Sequence, residues 1–173
     1  MTDNLGDLAV AYAKSRSADD LERLREVVRT SPGFDPGLDV AGLVAPLLAN
    51  GAHADVHTLV RDLMPGAFFS PAAHAALAAA HEGLGDATRS RRERRTQALA
   101  LDSVLGTGDG TRERPWSVLR ISDEYDVLRA QRRTSATQTL VDDGDRSLDR
   151  HECTDGTEAW FDVSTLVHAA RTA

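Results

Sequence analysis

Apolar positions in the first hundred residues recur at helical spacing. Leu5, Leu8 and Tyr12 form one stripe, and Leu21, Leu24, Val27 and Val28 form the next. Two amphipathic helices follow. Ser17 stands at the N-cap of the second, with Asp20 three residues on as its capping partner. The helix ends before Ser31-Pro32-Gly33-Phe34-Asp35-Pro36-Gly37, where two prolines each remove a backbone donor. Helical character resumes near Val40 with Leu43, Val44, Leu47 and Leu48. Pro46 is expected to kink or restart that helix, and Asn50-Gly51 to end it. A further helix runs from about Ala54 to Leu63 and stops at Met64-Pro65-Gly66.

Ser70-Pro71 supplies an N-cap followed by proline at the first helical position, and Ala72 to His81 is almost all small residues. After the turn at Gly83-Leu84-Gly85-Asp86, a long helix from about Ala87 to Leu105 is expected to pack back closely. Its inward face is read as Ala87, Arg94, Ala98, Leu101 and Leu105. These hairpins look like tetratricopeptide-type helix-turn-helix units, without a faithful 34-residue repetition. At Gly106-Thr107-Gly108-Asp109-Gly110 the period changes. Strands are expected at Trp116 to Ile121, Thr137 to Val141, Ser147 to Cys153 and Glu158 to Val163, with a helix at Ser122 to Arg132. Asp-Gly pairs at 143–144 and 155–156 mark hairpin turns, so the last three strands read as an antiparallel meander. Ser164 caps a short final helix bearing Leu166, Val167 and Ala170. The fold class is α+β: a helical-hairpin bundle over 1–105, then a small antiparallel sheet module over 106–173.

Composition narrows the class of protein. The chain has 173 residues, 41% hydrophobic and 27% charged, enough for a hydrophobic core without disulfides or a structural metal. No apolar run approaches the roughly 20 residues of a membrane span. Asp3, Asn4 and Asp7 stand where a signal peptide is basic, and Cys153 is the single cysteine, so the expected compartment is the cytoplasm. Of the net charge of -7, most falls after residue 100, where 9 basic residues face 14 acidic ones. Lys14 is the only lysine.

Between His74 and Val163 a series of short cues occurs in order. They are His74-Ala-Ala-Leu, Glu82-Gly-Leu-Gly-Asp86, Ser103 to Gly110, Asp123-Glu-Tyr-Asp-Val-Leu-Arg129, Gln138-Thr-Leu140 and Phe161-Asp162-Val163. In this order they resemble a bacterial family known as a domain of unknown function. The chain departs from it in reading Leu148-Asp149 where members read Tyr-Asp. The resemblance implies the architecture and His74 as a residue of interest; it implies no chemistry, because the family has no established activity.

Each group of chemistry-bearing residues also has an ordinary structural role open to it. His53 and His57 share a helix face but lack the glutamate and third ligand of a zinc site. His74 and His81 are two turns apart, about 10.5 Å along the helix, too far to share one ion directly. Each is expected to hydrogen-bond a neighbouring element. Arg89, Arg91, Arg92, Arg94 and Arg95 spread around their helix with no interleaved aromatics, against nucleic-acid binding. Arg94, read as inward, needs a buried carboxylate such as Asp126, Asp149 or Asp162. The Gly106 to Gly110 loop lacks the lysine and Ser/Thr of a phosphate loop, so its glycines supply positive φ and Asp109 caps the turn. His151 and Cys153 share a strand face without an orienting acid. Glu124-Tyr125 and Trp160-Phe161-Asp162 line a groove or complete the sheet core.

No nucleophile, base and oxyanion set is assembled, so the reading is a non-catalytic, cytoplasmic protein- or peptide-binding module without cofactor or metal, with no nucleic-acid or membrane partner. The residues expected to meet the partner are His74, Arg91, Arg94, Asp109, Glu124, Tyr125, Asp149 and Asp162. One alternative is a metal-assisted hydrolase using His74, Asp109 and Asp149 or Asp162 where the two parts join. Another is an immunity or antitoxin-like protein that offers its acidic β surface to a basic partner.

Overall fold

The computed structural model describes residues 4–172, with side chains to residue 168; Asp3 and the side chain of Ala170 lie outside it. The class is α+β. The helices are α1 (Leu5–Ser15), α2 (Ala18–Arg29), α3 (Val40–Ala49), α4 (His53–Asp62), α5 (Pro71–Gly83), α6 (Ala87–Leu105), α7 (Ile121–Ala130) and α8 (Ser164–Thr172). The strands are β1 (Trp116–Ser117), β2 (Ser135–Asp143), β3 (Arg146–Cys153) and β4 (Glu158–Asp162). Among the described residues, no helix is long and apolar enough to cross a membrane. The chain divides into two compact units, one of residues 1–35 and 39–100, the other of 36–38 and 101–173.

In the helical unit the caps are those the sequence marks. Ser17 accepts from the Asp20 N–H at 3.2 Å and Ser70 from the Ala73 N–H at 3.3 Å, satisfying donors the first helical turn leaves open. Pro46 does not restart α3, which runs through it. The central element is α5, buried on nearly every side from Pro71 to His81. Its small side chains let α3 and α4, and not α6, come close. The expected close approach of α5 and α6 is therefore corrected: long side chains bridge them, His74 to Glu93 and Arg94 to Glu82.

The inward face of α6 is corrected as well. Ser90 and Ala100 are buried and Glu93 and Gln97 half-buried, whereas Ala87, Arg94 and Ala98 are exposed. The steps of three and four residues are equally helical on both stripes, so periodicity alone could not choose between them. Ser90, the paired Glu93 and Ala100 mark the true face, and of the expected one Leu101 and Leu105 remain half-buried.

In the second unit the sheet order is β1-β4-β3-β2, with β2, β3 and β4 antiparallel as expected and β1 parallel to β4. The strand expected at Trp116 to Ile121 is only two residues long. Asp123 explains the early stop: its carboxylate accepts from the Leu119 and Arg120 N–H groups and starts α7 at Ile121. The core gathers Trp116, Val118, Val127, Leu128, Cys153, Phe161, Val163 and Leu166. In the preceding loop only Gly110 of the three glycines has positive φ, at 77°. Gly108 is required for another reason, since a Cβ there would lie 2.3 Å from the Arg114 carbonyl oxygen.

Candidate functional site

Helices α4, α5 and α6 of the first unit and the segment after α4 line an open cavity of about 720 Å³. Its polar wall carries His57, His74, His81, Arg61, Arg89, Arg92 and Glu93; Met64, Pro65, Phe68 and Leu77 form the apolar wall. The volume is within the range of about 300 to 1,000 Å³ that holds ligands.

His74 defines the chemistry. It lies on the second turn of α5, where its ring is 5% exposed and packs edge-on against Phe68 at 5.8 Å. Its Nδ1 meets the Glu93 carboxylate at 2.7 Å. Burial works to raise the pKa of Glu93, but the hydrogen bond and charge of His74 outweigh it and hold the carboxyl below its usual range. Glu93 is thus ionised and accepts the Nδ1–H. That leaves Nε2 as the free end of the ring, and it is buried without a hydrogen-bond partner. A polar atom left buried and unpaired costs about 1–3 kcal/mol, so Nε2 favours a hydrogen-bonding group at this wall.

The rest of the wall is cationic. His57 packs against His81 at 5.1 Å, and its pKa is lowered by burial first and then by the positive fields of His81, Arg61 and Arg89. Arg89 leans on Asp86 at 3.5 Å. Among the described residues no carboxylate makes an ion pair with Arg61 or Arg92. Nor does any group of three His, Cys, Asp or Glu side chains stand ready for a metal ion.

Of the arginine cluster, Arg89 and Arg92 line the cavity and Arg91 and Arg94 do not. Arg91 turns to the Thr88 hydroxyl at 3.4 Å. Arg94 is corrected from a buried residue to an exposed one, 57% accessible, paired with Glu82 rather than with a carboxylate of the sheet module. His53 does not join His57 at the cavity; its ring lies against Gly83, where a Cβ would meet it at 2.2 Å.

Three of the expected residues of the second unit, Glu124, Tyr125 and Asp149, come together around Gln138. The Gln138 amide donates to Asp149 at 2.7 Å and to Glu124 at 3.3 Å, and accepts from the Tyr125 hydroxyl at 2.5 Å. Register places Gln138 opposite His151, and His151 Nε2 lies 2.6 Å from Glu124. Burial, reinforced by the neighbouring Asp149 carboxylate, pushes Glu124 up to about 9, and burial pushes His151 down. The pair is therefore neutral: Glu124 donates its proton to Nε2, and Nδ1–H donates to the Ser135 hydroxyl at 2.8 Å. Both side chains of the pair are fully buried, closed to any ligand in this structure. The network ties α7 to the sheet, and Tyr125, read as lining a groove or completing the core, is 41% exposed.

Asp109 and Asp162 serve locally. Asp109 accepts from the Thr111 N–H and hydroxyl, at 3.1 and 2.7 Å. Asp162 accepts from the Ser164 N–H at 2.9 Å, at the start of α8. Cys153 is a free, buried thiol in the sheet core.

Sequence reasoning missed Arg61, Arg89, Arg92, His57 and His81 as a joint lining, and Gln138 and His151 as the centre of the second network. One signal was available: Glu93 is the lone acid within five arginines. Compared with protein-family models, curated proteins and solved structures, the chain matches none.

Proposed function

We propose that the protein is a non-catalytic recognition module whose helical unit takes an acidic peptide segment of a partner protein into the His74 cavity. The observation that carries this reading is the unpartnered Nε2 of His74, held by Glu93 on the wall of a cavity with three arginines. With Nδ1 turned to Glu93, the Nε2 end of the ring is the one that meets an anionic group entering the cavity. Arg61 and Arg92 supply further donors, and charged donors of this kind are the stronger hydrogen-bonding groups. The apolar wall of Met64, Phe68 and Leu77 favours an acidic side chain with an apolar neighbour. The cytoplasm is the compartment proposed, because the single cysteine, Cys153, can close no disulfide within the chain.

Fluorescence anisotropy with labelled peptides of alternating Glu and Leu, Lys and Leu, or Ser and Leu tests the reading. Only the acidic peptide is expected to bind, with affinity falling as salt rises. Arg92→Ala and His74→Ala should each weaken binding by about tenfold or more, as charged hydrogen bonds of about 1.5–3 kcal/mol require. Equal binding of all three peptides, or unchanged affinity in both variants, overturns it.

A further inference from the structure

The outer edge of the sheet carries an inference that concerns the second unit alone and holds whether or not the His74 cavity takes a ligand. β2 is the terminal strand, nine residues long, with side chains exposed along most of its length. A two-residue turn, Gly144-Asp145, joins it to β3, with Asp143 opposite Arg146. The pair closing such a turn exchanges both backbone hydrogen bonds, and the pattern alternates from there. Thr137, Thr139, Val141 and Asp143 therefore bond to β3, and the N–H and C=O groups of Gln138, Leu140 and Asp142 point outward. The register shift between Ser135 and Thr137 limits the regular stretch to 137–143, whose midpoint is Leu140.

Natural edges are usually guarded by proline, lysine or inward charges. β2 has no proline or lysine, and its only charges are the aspartates at its C-terminal end. Leu140, at the centre, is 57% exposed, the most exposed large hydrophobic side chain among the described residues.

The ends of the strand differ in sign. Arg132 and Arg133 precede it, and Asp142 and Asp145 mark its other end. An antiparallel partner of the same sequence brings the basic end of each strand toward the acidic end of the other, at both ends at once. A parallel copy sets like against like. Such self-complementarity is the requirement of a two-fold, isologous contact.

We propose that β2 pairs antiparallel with β2 of a second copy of this chain about a two-fold axis at Leu140, continuing the four-stranded sheet into its symmetry mate. The two Leu140 residues exchange backbone hydrogen bonds at a Cα separation of about 5.5 Å and cover each other's side chains. Gln138 of each copy lies opposite Asp142 of the other. The partner is thus an extended strand that adds to an open edge, as in strand augmentation.

Sedimentation equilibrium of the full chain across the micromolar range tests the pairing. The wild type is expected to form dimers. Leu140→Lys places two like charges at the axis and should raise the dimer dissociation constant by about tenfold or more. Leu140→Pro removes only an outward N–H, so it should dissociate the dimer with the bonds to β3 intact. Circular dichroism verifies that both variants are folded. Leu140→Cys should cross-link under mild oxidation, since Cys153 is buried. A wild type that stays monomeric, dimers that survive Leu140→Lys, or a monomer that instead takes up an added strand peptide each overturn the proposal.

Discussion

The imidazole Nδ1 of His74 lies 2.7 Å from the Glu93 carboxylate, a contact between residues 19 apart in sequence. It joins the most buried helix of the bundle, α5, to the arginine-rich α6, and it fixes which end of the ring faces the cavity. The folded state holds Glu93 below its usual pKa of 4.5. The stability this contributes is therefore present above pH 4.5 and is lost as pH falls through the depressed value. Glu93→Gln should cost about 1–3 kcal/mol at neutral pH and flatten the acid limb of a plot of stability against pH. Urea denaturation across pH 3 to 7 checks both expectations.

Glu124 works in the opposite sense. Its pKa is about 9 in the folded protein against 4.5 for the ordinary group, because burial and the Asp149 carboxylate disfavour its charge. The associated stability is full below pH 4.5 and declines as pH rises toward 9. Glu124→Gln removes the titration while keeping a donor for His151 Nε2. The variant should therefore gain on the wild type steadily between pH 5 and 9, as thermal denaturation followed by circular dichroism would register. An unchanged difference across that range contradicts a protonated Glu124.

Arg94 and Glu82 are both more than half exposed, so their ion pair is screened by solvent. Arg94→Ala should leave stability within about 1 kcal/mol and leave peptide binding unchanged. Paired with Arg92→Ala, it separates the cavity wall from the rest of the arginine cluster.

Gly110 combines a φ of 77° with contact against an indole. A Cβ there would lie 2.5 Å from the Trp116 ring, in the middle of the second unit's core. Gly110→Ala adds a strained backbone to an overpacked core and should destabilise by about 2–4 kcal/mol. Chemical denaturation measures it. Gly144→Ala, with nothing within 4 Å of the added Cβ, isolates the cost of positive φ alone.

Ser70 provides a local control. It is fully buried, and its hydroxyl caps α5 through the Ala73 N–H. Ser70→Ala should cost about 1 kcal/mol without altering the pH dependence assigned to Glu93 or Glu124.

Sequence alone determined what depends on neighbours along the chain. Ser17 and Ser70 cap helices because a side-chain oxygen reaches a backbone N–H three residues on. Helical stripes and the Asn50-Gly51 stop belong to the same short range, as does the α+β order. Sheet pairing of β2, β3 and β4 followed because tight turns leave few alternatives.

Tertiary structure decided what depends on which of two equally periodic faces turns inward. On α6 the stripes through Glu93 and Arg94 are one residue, about 100° of helix, apart. What selects between them is the His74 ring, supplied by another helix. The same holds for Glu124, whose proton is set by burial and by Asp149 on a separate strand. Caps and turns are bonds between near neighbours and are written in order. A cavity, a buried acid and an inward face come from residues distant in sequence, whose fields and volumes meet only when the chain has closed on itself.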